Sequence, residues 1–132
     1  MYISKKDREI IRNKYSGKCA YTGTELLPDW QVDHINPVNR LYGTIMWRQN
    51  HNIENMVPCQ RIINNYKFNM NLKQFRNFML DFHLRLKRLP KNPKTEKSKK
   101  RKENLLEIAK LFGITPDKPF TGKFYFETLN QE

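Results

Sequence analysis

The chain has 132 residues, enough for one domain with its own core and hardly enough for two. Its 25 Lys and Arg stand against 13 Asp and Glu, and the net charge of +12 makes a polyanion, nucleic acid above all, the first partner to consider. Two cysteines, Cys19 and Cys59, exclude a disulfide framework and a four-cysteine zinc site, and the lack of a ~18–20-residue apolar run excludes a spanning helix; with no apolar signal core after Met1, the expected location is the cytoplasm.

Ser4 and Asp7 resemble a capping box, and Ile10, Ile11 and Tyr15 precede Gly17, so residues 4–16 are expected to form a short helix with a glycine stop. Cys19-Ala20-Tyr21 and Trp30-Gln31-Val32 are β-prone runs separated by turn residues, which predicts a β-hairpin region. Residues 38–54 show no period and are expected to be a long loop, anchored by Leu41, Ile45, Met46 and Trp47. Pro58 suits the first turn of a helix running to about Tyr66, because its missing N–H would be unpaired there anyway.

Leu72, Phe75, Met79, Phe82, Leu86 and Leu89 recur at steps of three and four, with Asn71 and Gln74 as a cap, and predict one amphipathic helix over 72–89 ended by Pro90. Residues 85–102 hold ten Lys or Arg against Glu96 alone, so this stretch supplies +9 of the chain's +12. Its prolines predict a basic linker over 90–100, followed by a helix over 101–112 and a terminal strand over 123–127. The expected organisation is thus a domain at 1–89, a linker at 90–100 and an appended unit at 101–132.

Asp33-His34 closes a β-prone run just before Ile35-Asn36-Pro37, which presents a carboxylate and an imidazole at a strand end. A hard divalent cation favours carboxylate oxygen, and an imidazole with a pKa of ~6.5 can take a proton from water. Alone the dipeptide says little, since a surface Asp beside a hydrogen-bonded His is commonplace.

Downstream stand Asn55-Met56 and Asn64-Asn65-Tyr66-Lys67, Asn64 coming nine positions after Asn55. From Gly17 to about Phe78 the chain resembles the HNH endonuclease family, of the small free-standing kind found in phages and mobile elements, and Leu72-Lys73-Gln74-Phe75-Arg76 continues the likeness. The resemblance implies an α+β fold with a ββα-metal (His-Me finger) core and flanking helices. It also implies hydrolysis of phosphodiester bonds in double-stranded DNA, with His34 as general base and Asp33 and Asn64 holding Mg²⁺ or Mn²⁺. Asn55 would orient His34 or brace the loop, and it could equally cap the following helix. Arg61, Lys67, Arg40 and Arg48 would contact DNA, and Lys99, Lys100, Arg101 and Lys102 would bind backbone phosphates.

Three departures bear on these expectations. Where many members carry two Cys-x-x-Cys pairs, this chain has Cys19 with Thr22 and then Gln60 with Ile63, so structural zinc is not expected unless Cys19, Cys59 and a histidine such as His51 supply it. Trp30, Met56 and Ile62 would then brace the motif by packing. The interval from His34 to Asn55, 21 residues, is long, and Asn64 replaces the final histidine of the family. His51 and His83 read as incidental and structural respectively. A non-catalytic nucleic-acid-binding module and a nuclease acting on RNA or single strands remain the alternatives; no membrane partner is expected, a single site per chain points to nicking, and the oligomeric state stays open.

Overall fold

The computed structural model describes residues 3–37 and 51–129, and among them the fold is α+β, half of it helical, with one two-stranded sheet. The first helix, α1 (Lys5–Arg12), starts because the Ser4 hydroxyl accepts from the Asp7 N–H at 3.1 Å. It passes into a 3-10 turn, Asn13–Tyr15, that closes at Ser16 in the left-handed region at φ +55°, one residue before the expected stop at Gly17, whose φ is +80°. Only Ile11 of α1 is buried, against Trp30 and Met56. Lys14 pins the helix end to the sheet, donating to the carbonyls of Ile53 and of Met56, the latter at 2.6 Å.

The sheet departs from the sequence reading. Strand β1 (Gln31–His34) pairs antiparallel with β2 (Met56–Cys59), with Asp33 opposite Val57 and His34 opposite Met56. Pro58 therefore lies in a strand and not in a helix, a place open to proline on an edge strand. The Cys19-Ala20-Tyr21 segment forms a tight turn in place of a strand, closed by Gly23 N–H to Cys19 O at 2.9 Å and by an isolated bridge between Lys18 and Glu25. A Cβ on Gly23, at φ +74°, would come within 2.6 Å of the Tyr125 ring, so glycine is required there.

Helix α2 (Arg61–Lys67) follows β2 directly. The stretch expected as one helix is two, α3 (Leu72–Leu80) and α4 (Phe82–Lys87), broken at Asp81. Asn71 and Gln74 exchange the predicted reciprocal cap bonds, each at 2.9 Å. Helix α5 (Glu96–Phe112) begins five residues earlier than expected, because the Thr95 hydroxyl caps the Ser98 N–H at 3.0 Å. Residues 96–100 of the expected linker are thus helical, and Lys102 ties the helix back by donating to the Pro90 and Lys91 carbonyls at 2.9 and 3.0 Å. The expected terminal strand is instead a helical turn, α6 (Tyr125–Thr128).

One aromatic core holds these helices to the turn below the sheet. Tyr21 packs edge-on against Phe75 and Phe124, which stack on each other at 5.2 Å. Arg76 on α3 reaches α6 through paired bonds to Glu127 at 2.5 and 2.8 Å. Among the described residues no helix is long and apolar enough to cross a membrane.

Candidate active site around His34

Successive side chains of a strand alternate in face, and this separates Asp33 from His34. Asp33 turns under α2 and is 5% exposed; its carboxylate accepts from the Tyr21 hydroxyl and pairs with Lys67 at 3.1 Å. Burial raises the Asp33 carboxyl above the ordinary range, against the opposing pull of Lys67, the Tyr21 hydroxyl and the His34 N–H. Residues Asn64 and Lys67, one helical turn apart on α2, both face β1: Asn64 donates to the Gln31 side chain at 2.7 Å while Lys67 meets Asp33.

Lys67 is the clearest correction to the sequence reading. Expected on a DNA phosphate, it is fully buried, and its ammonium also donates to the His34 and Ile35 carbonyls at 2.9 and 3.4 Å. Its three acceptors lie at the end of β1, so Lys67 fixes the strand terminus and neutralises the carboxylate beneath it.

His34 faces the other way and meets a residue that no sequence pattern singles out. Its Nε2 lies 3.1 Å from Nδ1 of His51, with the rings stacked at 5.3 Å. Burial, then the neighbouring charges of His51 and Lys67, holds the His34 pKa down at about 4, so the imidazole is neutral at neutral pH. Past the strand, Asn55 clamps the chain: its Oδ1 accepts from the Asn36 N–H at 2.9 Å and its Nδ2 donates to the Asn36 carbonyl at 2.8 Å. The Asn55 N–H is itself held by the Asn52 side chain at 3.0 Å. A side-chain amide is the group that can satisfy an N–H and a C=O of one residue together.

Gln60 and Ile63, the positions where the resemblance would put cysteines, are taken up in the fold. Gln60 accepts from the Leu27 N–H at 3.1 Å and donates to Thr24 Oγ1 and the Glu25 carbonyl at 3.0 and 2.6 Å, tying the start of α2 to the turn at 19–25. Ile63 joins the core, and the Cys19 and Cys59 thiols are buried, that of Cys59 donating to the Gln60 carbonyl at 3.3 Å. Burial raises the Cys19 thiol, and the bonds from Cys59, Thr22 and the backbone outweigh it, bringing the pKa to about 6. His51 sits with His34, and among the described residues no three His, Cys, Asp or Glu converge on a metal position. Trp30 and Met56 brace α1 to the sheet, and the Arg8 guanidinium lies 3.9 Å over the Trp30 ring.

The oxygen donors of Asp33 and Asn64 have the chemistry a hard divalent cation takes, and they sit on facing elements. An ion at Asp33 must displace Lys67, whose other two acceptors give the ammonium a place to stay. Of the expected DNA-binding residues, Arg61, Lys99, Lys100 and Arg101 are exposed, and Lys99 pairs with Glu96 at 3.5 Å. Arg40, Arg48 and Trp47 lie outside the described residues. Comparison of the chain with protein-family models, with curated proteins and with solved structures finds no match.

Proposed function

We propose that the chain is a metal-dependent HNH endonuclease that hydrolyses DNA phosphodiester bonds, with β1, β2 and α2 as its ββα-metal core. The observation that carries this reading is the imidazole of His34 at a strand end, held by His51 on one side and followed by the Asn55 clamp. Clamping Asn36 fixes the exit of the strand, and with it the direction in which His34 is presented.

A general base needs a lone pair, which assigns the tautomers. His34 donates from Nε2–H to Nδ1 of His51, and its own Nδ1 takes the proton of the attacking water. A pKa near 4 leaves His34 a weak base in the free protein, and the negative charge of an approaching phosphate raises it toward the working range. Asp33 and Asn64 would hold the divalent ion; because Asp33 lies on the face of β1 opposite His34 and is paired with Lys67, its carboxylate would have to turn to the strand end for the ion to neutralise charge on the phosphate that His34 serves. Arg61, exposed at the start of α2, would meet the flanking phosphate backbone.

One observation favours a second reading, a nucleic-acid-binding module without catalysis: Asp33 already has a counter-ion in Lys67. Incubation with supercoiled plasmid and Mg²⁺ or Mn²⁺ separates the two. Nicking that is lost with EDTA and in His34→Ala supports the nuclease; binding without nicking under either metal supports the module.

A further inference from the structure

On the side of α2 away from β1 lies an open groove of about 470 Å³ between α2, α3, α4 and α5, within the ~300–1,000 Å³ range of small-ligand sites. Asn64 and Tyr66 are two positions apart on α2 and so point to opposite sides of it; Asn64 faces the sheet and Tyr66 lines the groove.

One wall is a stack. The Arg85 guanidinium lies 3.8 Å over the Phe78 ring and is fixed by donating to the Phe78 carbonyl at 3.0 Å. Tyr66 and Phe78 are themselves 5.3 Å apart. The opposite wall is the face of α5 bearing Lys97, Lys100 and Arg101, spaced three and four residues apart. All three are exposed, and no Asp or Glu is among the described residues lining the groove.

A planar cation locked on an aromatic ring presents its outer face as a stacking platform for a base, and three cations opposite it suit phosphates. A base inside a duplex cannot reach such a platform, whereas an unpaired one can. We propose that this groove binds one unpaired nucleotide of a DNA strand, the base stacked on Arg85 and the adjoining phosphates held by Lys97, Lys100 and Arg101. The inference rests on DNA as the partner and names the substrate class: duplex DNA interrupted by unpaired nucleotides, as in a bulge, flap or junction. One helix diameter, about 10–12 Å, separates the groove from β1, so a single substrate can engage both.

The test is fluorescence anisotropy in EDTA, where cleavage plays no part, comparing a duplex with the same duplex carrying a three-nucleotide bulge. The wild-type protein should bind the bulged DNA at least about fivefold more tightly. Arg85→Lys keeps the charge and removes the plane, so it should abolish the preference while leaving duplex affinity unchanged. A 2-aminopurine in the bulge should lose fluorescence on binding wild type, as a stacked base does. Equal affinity for the two DNAs, a preference that survives in Arg85→Lys, or a brightened 2-aminopurine each overturns the groove assignment while leaving DNA binding intact. Failure to bind either DNA at low salt overturns both the assignment and the DNA-binding part of the proposed function.

Discussion

The Lys67 ammonium lies 3.1 Å from the Asp33 carboxylate with both side chains closed off from solvent, and this pair joins the helix to the strand that carries His34. Removing one partner of a buried pair leaves an uncompensated charge, at a cost of about 3–5 kcal/mol. Lys67→Met should therefore lower the unfolding free energy by about that amount in urea titration. Lys67→Met combined with Asp33→Asn should recover much of the stability, because the stranded charge is gone. A double variant no more stable than Lys67→Met would show that the pair is not the link.

His51 acts on the reaction through His34, and its contribution is separable from simple packing. His51→Ala should reduce the nicking rate about 10–100-fold, the usual effect of removing the partner that orients a functional histidine. It should also move the acid limb of kcat/KM, which reports the free protein, upward from the region of about 4, since the charge of His51 is one of the influences holding His34 down. A slower rate with an unmoved limb would assign His51 a purely structural part.

Phosphate binding is read from salt dependence. Replacing Lys99, Lys100 and Arg101 together by Gln should flatten the slope of log affinity against log salt by roughly 0.9 for each phosphate that is no longer neutralised. Lys67→Gln should leave that slope unchanged, because Lys67 is buried against Asp33. An equal flattening in both variants would contradict the placement of Lys67.

The Arg76–Glu127 pair predicts a pH dependence of stability. The hydrogen bonds from Arg76 depress the Glu127 pKa, so its contribution is present above the unfolded value of ~4.3 and disappears as pH falls through the lower folded value. The stability gap between wild type and Glu127→Gln should narrow steadily as pH is taken from 6 to 3. A gap that widens on acidification would contradict the assignment.

Local signals carried well from sequence to structure where the cause was itself local. The Ser4 cap, the Asn71–Gln74 exchange and the buried Phe75, Met79, Phe82 and Leu86 stripe all depend on near neighbours. The strand partner of β1 was not legible, because β2 lies beyond a long connection and Pro58 suits a helix start equally well. Tyr21 carried no sign of its bond to Asp33, although a buried phenol must find a partner somewhere. His51 meets His34 across 17 residues with no pattern to mark it. Lys67 was readable in hindsight: its spacing from Asn64 puts both on the face of α2 turned toward the strand, where a cation meets Asp33 and not solvent.

Whether His34 is the base of a metal-dependent DNA nuclease is decided by the nicking of supercoiled plasmid in Mg²⁺, in Mn²⁺ and in EDTA, by wild type and by a folded His34→Ala variant. The expected result is metal-dependent conversion to open circles by wild type, reduced about 10²–10⁴-fold in the variant with plasmid binding retained. Equal nicking by the two proteins, or binding by wild type with no nicking under either metal, would contradict it.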